Sequence, residues 1–184
     1  MAIYRLALTD HDGTEAAGLL DELCDVYADA YGVAPGGKKT VAFRERAEKQ
    51  FTRPGFALVT ARANGELVGF VFGYPLPLGD TYWWDGVRPE PAGEFLTETG
   101  TRTWVLAEIE VRRSWQSHGV GRALHDAVLA SRPENRATLA TGPDAPVRSV
   151  YEGWGWGWVG RVPGADDDYY GAYDLFVLGL PVSR

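Results

Sequence analysis

The spacing of hydrophobic and polar positions changes along the first part of the chain, and each change predicts a different element. Residues 1–8 alternate apolar and polar side chains, which is typical of an opening strand. Apolar residues then recur at helical spacing, from a start that Asp12 and Glu15 mark with the spacing of an N-terminal cap, to a stop at Gly32. The pattern therefore predicts a strand followed by one helix.

A weaker helical pattern covers residues 41–51, and the period of the apolar positions then becomes two. The apolar runs at 56–63 and 67–74 flank Asn64-Gly65, the strongest short hairpin signal. The next segment, residues 75–103, is long and irregular. A loop of this length inside a compact domain is usually functional or contains structure that the pattern does not reveal.

The remaining patterns complete a mixed fold. They predict strands at 104–111, 137–141, 159–162 and 173–178, and helices at 120–130 and 146–154. Neither a repeat nor a linker interrupts the chain. We therefore predict one α+β domain over residues 1–184, with mostly antiparallel strands and an embedded strand, helix, strand, helix unit.

Composition narrows the classes of function. The 184 residues include 25 acidic and 18 Lys or Arg residues, a formal net charge of −7, which argues against a general binder of nucleic acid or anionic membranes. A single cysteine and three scattered histidines argue against a disulfide framework and against a metal centre. No apolar run is long enough to span a bilayer, and we expect a cytoplasmic protein. The few cysteines and histidines lead us to expect that it binds no metal.

Residues 111–122 carry the strongest chemical signal. Gly119 and Gly121 stand where a strand gives way to an amphipathic helix, so backbone N–H groups can turn inward and bind a phosphate at the positive end of the helix. The window holds three arginines and no carboxylate. Taken alone, the two glycines are equally consistent with a tight turn.

The arrangement Gln116-x-x-Gly119-x-Gly121 after a strand resembles the acyl-CoA-binding motif of the GNAT acyltransferase superfamily. A second family signature is matched by Asp144 and Tyr151, although Asp replaces the commoner Asn. The resemblance extends over nearly the whole chain. It implies a twisted, mostly antiparallel sheet of about six to seven strands with helices on both faces.

The same resemblance implies which residues bind acetyl-CoA. The pyrophosphate would meet the backbone and side chains of the turn, which are Gln116, Ser117, His118, Gly119, Val120, Gly121 and Arg122. Main-chain groups of Ile109 and Val111 would bind the pantetheine arm like an added strand. The resemblance also leaves room for a homodimer.

Acyl transfer to an amine needs a base and a proton donor, and three residues are candidates. Glu108 and Glu110 share one face of their strand because they are two residues apart, so either carboxylate could act as the base, directly or through a water. Glu108 is the first choice; salt bridges or solvent exposure would explain both carboxylates equally well. The resemblance assigns Tyr151 as the acid that protonates the thiolate, against the alternative of a buried helix tyrosine. His118, in the turn that would hold the pyrophosphate, is expected to be a binding residue, and His125 is expected to be structural.

Other features favour plainer interpretations. The glycines of 155–160 match a dinucleotide fingerprint but do not open a helix after a strand, so an oxidoreductase is the weakest hypothesis. Residues 166–168 are expected to form a solvated acidic loop. The aromatic and acidic residues of 75–103 would suit a cationic amine, but we favour a solvated surface loop.

The leading hypothesis is therefore an N-acetyltransferase that moves an acetyl group to the primary amine of a small molecule or peptide. A catalytically silent acyl-CoA-binding module on the same fold remains the alternative.

Overall fold

A computed structural model describes residues 5–165 and 170–181. Its strands are β1 (Leu6–His11), β2 (Ala57–Ala63), β3 (Glu66–Pro75), β4 (Thr103–Val111), β5 (Arg136–Thr141), β6 (Gly157–Pro163) and β7 (Ala172–Gly179). Its α-helices are α1 (Gly13–Gly18), α2 (Leu20–Tyr31), α3 (Lys38–Phe51), α4 (Val120–Leu129) and α5 (Arg148–Gly153). The acidic run at 166–168 lies outside the described residues.

The strands form a seven-stranded sheet in the order β1-β2-β3-β4-β5-β7-β6. The pairs β1–β2, β2–β3, β5–β7 and β6–β7 are antiparallel, whereas β4 and β5 are parallel at Thr103–Val105. The predicted mixed, mostly antiparallel fold is confirmed. No α-helix within the described residues is long and apolar enough to cross a membrane.

The chain divides into two compact units, and β4 contributes to both. The first unit consists of Met1–Tyr74 and Leu106–Ser131, of which residues 1–4 are not described. The second consists of Pro75–Val105 and Arg132–Arg184, again only as far as the described ranges reach. A single domain over the whole chain stays a prediction.

In the first unit, two helices replace the single helix that was predicted after Asp12. The predicted cap is present as a full capping box with Glu15, but the helix is interrupted at Leu19, and α2 then ends at a left-handed Gly32. The predicted hairpin turn is also present, since Asn64 and Gly65 both have positive φ, 52° and 86°. Both residues thus adopt the backbone conformation that Asn-Gly turns favour.

Aromatic side chains of the first unit pack on one face of β3, and α4 packs on the opposite face. Phe43 of α3 lies 6.0 Å and 6.4 Å from the rings of Phe70 and Phe72 on β3. On the opposite face, a Cβ at Gly69 would lie 2.9 Å from the Glu110 carbonyl oxygen and 3.1 Å from Leu124 of α4. Only glycine therefore allows β3, β4 and α4 to pack this closely.

The segment from 75 to 103 belongs to the second unit, where most of its residues are exposed, as expected of a surface loop, but several of its side chains are buried. Trp84 and Val87 are buried, and Trp83 Nε1 donates to Thr138 Oγ1 on β5 at 3.0 Å. Glu98 is also buried, where its Oε1 accepts hydrogen bonds from Arg136 and Trp84 at 3.0 and 2.9 Å. A buried cation thus neutralises one of the acidic residues that the amine hypothesis had counted. Tyr82, by contrast, is 85% exposed.

Candidate active site

The two carboxylates of β4 lie on the face of the first unit that α2 and α3 cover. Glu108 accepts from Arg46 of α3, and the hydroxyl of Tyr31, the last residue of α2, lies near enough to Glu110 to lower the pKa of that carboxyl. Val111 projects the other way, because its Cγ2 lies beside Gly69 on the α4 side. Glu108 and Glu110 therefore share one face of β4, as predicted, and Val111 lies on the other.

A single cation faces this carboxylate pair. Arg46 Nη2 and Nε donate to the same Glu108 oxygen, Oε1, at 2.6 and 3.2 Å. The Glu108 side chain is only 11% exposed, whereas that of Arg46 is 45% exposed. Glu110 receives no such ion pair within the described residues, and its neighbours are Glu108 and the Tyr31 hydroxyl.

Burial among aromatic rings makes the charged form of both carboxylates costly. Burial raises the pKa of Glu108, and the Arg46 guanidinium opposes that rise. Burial raises the pKa of Glu110 well above its usual range, the Glu108 carboxylate raises it further, and the Tyr31 hydroxyl and Arg46 act in the opposite direction. Two carboxylates and one cation therefore favour a state in which one carboxyl keeps its proton.

The sequence did not point to Arg46, Tyr27 or Tyr31 as part of this cluster. Tyr27 stacks on Phe43 with ring centroids 4.3 Å apart, and its hydroxyl lies near Arg46. Burial raises the pKa of Tyr27 to about 12 and also raises that of Tyr31, to which the two carboxylates add. Both phenols therefore remain neutral near pH 7. Tyr27 and Tyr31 are four residues apart on α2, a one-turn spacing that could have indicated a shared face.

The turn between β4 and α4 has the conformation of an anion-binding nest. Ser117 and Gly119 both have positive φ, 62° and 81°, and Gly119 precedes the first residue of α4. In the described part of the chain, the N–H groups of residues 117 to 121 donate to no backbone carbonyl. These donors and the ten-residue helix behind them are suited to bind a phosphate.

Two side chains of the turn hold it in shape. Gln116 Nε2 donates to the Val111 carbonyl oxygen at 3.0 Å, and His118 Nδ1 lies 2.7 Å from the Gln116 carbonyl oxygen. The side chain of Gln116 therefore braces the turn against the end of β4.

The three arginines around the turn are less free than the sequence window suggested. Arg112 pairs with Glu66 at 3.4 Å, Arg113 with Asp29 at 3.8 Å, and Arg122 with Asp126 at 2.8 Å. The first two carboxylates come from distant parts of the chain, and Asp126 lies one helical turn beyond the window. The local positive charge is thus partly balanced, and the exposed backbone N–H groups carry more of the anion-binding capacity.

An open cleft of about 420 Å³ adjoins this region of the first unit. Its lining combines carboxylates, guanidinium groups and small apolar residues, which are Asp25, Ala28, Asp29, Gly32, Val33, Pro35, Arg112 and Arg113. Gly32 directly follows Tyr31, so the cleft reaches the end of α2.

Tyr151 belongs to the second unit and lies on α5. It is 8% exposed, and its ring meets Trp154 and Trp156 edge to face at 6.0 and 6.3 Å. Asp144 precedes the helix, as the motif requires. The predicted helix is confirmed at residues 148–153, and the role of Tyr151 stays a prediction.

Two plainer interpretations are supported by the geometry. The glycine-rich sequence from 155 runs into β6 and opens no helix, so it lacks the context of a dinucleotide fingerprint. His125 is fully buried on α4, hydrogen-bonds to Asp126 at 2.8 Å, and has a pKa lowered by burial. Within the described residues, no three His, Cys, Asp or Glu side chains converge as metal ligands would.

Comparison with known proteins identifies the family. The model of the acetyltransferase (GNAT) family matches residues 20–156, and the chain belongs to this family. No curated protein matches the chain significantly.

Solved structures of acetyltransferases share the fold at low sequence identity. An aminoglycoside 6'-acetyltransferase type Ii is 20% identical with a TM-score of 0.63, covering 97% of this chain and 99% of its own. An aminoglycoside 6'-N-acetyltransferase complexed with coenzyme A is 18% identical with a TM-score of 0.61, covering 97% and 98%. The ribosomal-protein-S18-alanine N-acetyltransferase from Escherichia coli is 16% identical with a TM-score of 0.59, covering 98% and 96%.

Proposed function

We propose that this chain transfers the acetyl group of acetyl-CoA directly to a primary amine while both substrates are bound. Membership of the GNAT acetyltransferase family and the nest before α4 support acetyl-CoA as the donor. The fold is shared with an acetyltransferase complexed with coenzyme A, which agrees with this choice of donor.

The residues of the turn fit the phosphate groups of such a donor. The N–H groups of Ser117 to Gly121 are the donors, and a Cβ at Gly119 would meet no atom within 4 Å, so the approach is open. The side chains of Gln116 and His118 maintain the turn, and Arg122 adds positive charge. Ile109 and Val111 would offer main-chain groups to the pantetheine arm, as the family resemblance implies.

Glu110 is the better candidate for the base, in contrast to the preference for Glu108 that the sequence supported. A base must have a free carboxylate that takes a proton near the working pH. Arg46 already occupies the Glu108 carboxylate at 2.6 Å, while Glu110 has a raised pKa and only a neutral hydroxyl as donor. The different partners of these two carboxylates are the observation that carries the assignment.

The chemistry balances with two protein groups. Acetyl-CoA supplies an activated acyl carbon. Glu110 accepts the proton that the attacking amine loses as its nitrogen bonds to that carbon and the carbon–sulfur bond breaks. Tyr151 gives its hydroxyl proton to the departing thiolate, a role that rests on the motif from Asp144 to Tyr151.

Replacement of the base tests this function. With an amine found by screening a panel for thiol release, Glu110→Gln should lower kcat/KM by about 10²- to 10⁴-fold while the affinity for CoA by calorimetry stays unchanged. Glu45→Gln, on the exposed surface of α3, is the matched control and should behave like the parent. Tyr151→Phe should lower kcat with little change in the CoA affinity.

Two results would contradict the proposal. Full activity of folded Glu110→Gln would remove Glu110 from the reaction. CoA binding without thiol release, across small amines, peptide N-termini and lysine side chains, would instead favour the silent acyl-CoA-binding module. The three named acetyltransferases of the same fold differ in acceptor, which is an aminoglycoside for two of them and a ribosomal-protein alanine for the third, so the acceptor class is left to the panel.

A further inference from the structure

Arg46 contacts the carboxylate pair at only one of its two members. Both of its hydrogen bonds go to Glu108 Oε1, and the hydroxyl of Tyr27 lies nearby. Its guanidinium carbon also lies 5.8 Å from the centre of the Phe43 ring. The Phe43 ring and the Tyr27 hydroxyl thus flank the guanidinium group that pairs with Glu108.

The groups that face the pair come from three elements. On β4 they are the two carboxylates themselves, α3 contributes Arg46, and α2 contributes the hydroxyls of Tyr27 and Tyr31. Arg46 is the one cation among the described groups that face the pair. Because a cation stabilises the carboxylate that it touches, Arg46 keeps the negative charge on Glu108 and leaves Glu110 as the member of the pair with the higher affinity for a proton.

We propose that Arg46 is a positioning residue for acetyl transfer, which acts through Glu108 to decide that Glu110 is the carboxyl group that exchanges its proton with the substrate amine. The proposal rests on the proposed function, in which Glu110 is the base. Arg46 itself need not touch either substrate. Its effect is electrostatic and is transmitted over one hydrogen-bonded carboxylate.

A purely structural role for Arg46 makes a different prediction. The Arg46 side chain is 45% exposed, so water can reach the Glu108 carboxylate once the guanidinium is removed, and Glu108 can also take up a proton. Removal of the cation should therefore leave the protein folded. It should nevertheless change the titration of the carboxylates, because the pair then has no cation to offset its second negative charge.

The test compares substitutions of Arg46 with a matched substitution on the same helix. Arg46→Gln removes the charge, Arg46→Lys keeps it, and Arg44→Gln removes a salt bridge to the exposed Asp21. Two readouts are followed: the side-chain carboxyl titration of Glu110 by carbon-13 NMR, which needs no substrate, and the pH profile of kcat/KM. In Arg46→Gln both should move to higher pH by about 1–2 units. Arg46→Lys should restore most of the parental titration, and Arg44→Gln should match the parent.

Glu108→Gln provides a shift in the opposite direction. It removes the negative charge that raises the pKa of Glu110 and leaves Arg46 in place, so the Glu110 titration should move to lower pH. Opposite shifts in Arg46→Gln and Glu108→Gln would support the proposal. A mere loss of packing would not give shifts of opposite sign.

The outcomes separate this proposal from the proposed function. An unchanged Glu110 titration in Arg46→Gln would overturn the positioning role even if Glu110 is the base. An equal shift in Arg46→Lys and Arg46→Gln would also overturn it, because charge would then not be the cause. A shifted titration without a shifted kcat/KM profile would overturn the role in catalysis, and activity in Glu110→Gln would separately refute the base.

Discussion

Each unit contains a site where carboxylates pair with arginines, and the two sites have opposite ratios of carboxylates to arginines. In the second unit, the fully buried Asp174 of β7 is ion-paired to Arg148 and also to Arg161, which lies 2.8 Å away. In the first unit, Glu108 and Glu110 share the single cation Arg46. Hydrogen bonds and charges from Arg161 and Arg148 outweigh burial and lower the pKa of Asp174, whereas burial raises the pKa of both glutamates.

The difference separates a carboxylate that stabilises the fold from carboxylates that can exchange a proton. Because its pKa is lowered, Asp174 stays ionised near neutral pH and is a weak acceptor for a proton. Burial raises the pKa of Glu110 at a cost to the folded state, so Glu110 takes up a proton more readily. Such a cost is common at functional sites, where stability is exchanged for chemistry.

Removal of Asp174, the carboxylate that is paired with two cations, should have the largest effect on stability. Asp174→Asn leaves two arginines facing a neutral amide, and it should lower the free energy of unfolding by about 2–4 kcal/mol, somewhat below the cost of breaking a fully buried pair because both arginines reach solvent. Urea denaturation measures the change. A carboxylate whose pKa is lowered in the folded state stabilises the fold at pH values above its unfolded pKa. The loss of stability in Asp174→Asn should therefore shrink as the pH falls through the folded pKa of Asp174.

Asp10→Asn on β1 is a suitable control, since Asp10 is an exposed strand carboxylate without an ion pair among the described residues. It should unfold like the parent. Equal stability of Asp174→Asn and the parent near pH 7 would remove the contrast between the two carboxylate sets.

Neutralisation of one carboxylate in the pair that shares a single cation should change the stability in the opposite direction. Glu110→Gln should raise the free energy of unfolding by about 1–2 kcal/mol near neutral pH while it removes the proposed base. A carboxyl group whose pKa is raised in the folded state contributes stability below its unfolded pKa and loses that contribution as the pH rises through the folded value. The gain from Gln should therefore grow with pH over that interval.

Thermal unfolding at several pH values, with Glu45→Gln as the surface control, measures this gain. A destabilised Glu110→Gln at every pH would mean that the carboxyl group is held for packing and not at a cost. The comparison with Asp174 would then rest on charge ratio alone.

Local patterns predicted the elements of this fold, and long-range contacts decided the rest. The hairpin at Asn64-Gly65, the cap at Asp12 and the turn before α4 depend on neighbours in sequence, and all three are present. Pattern alone did not reveal the break at Leu19 or the folded course of residues 75–103, because that course depends on burial of Trp84 and Glu98 against other elements.

The same distinction applies to the candidate site. Glu108 and Glu110 were identified because their two-residue spacing places them on one strand face. Arg46 is 62 residues from Glu108 in sequence, and no local pattern indicates that they meet. The preference between the two glutamates therefore changed once the partner of each was known.

The smallest expected effect comes from a phenol that borders the pair. Tyr31→Phe removes the hydroxyl that lies near Glu110 and lowers its pKa. The pH profile of kcat/KM should therefore move to higher pH, and the rate near neutral pH should fall about two- to fivefold, as expected for the loss of one polar contact. Tyr82→Phe is the control, because the Tyr82 side chain belongs to the second unit and is 85% exposed. We expect Tyr82→Phe to leave the profile unchanged. An equal shift in the two variants would show that the profile does not depend on the hydroxyl near Glu110, and it would weaken the contrast between one cation for two carboxylates and two cations for one.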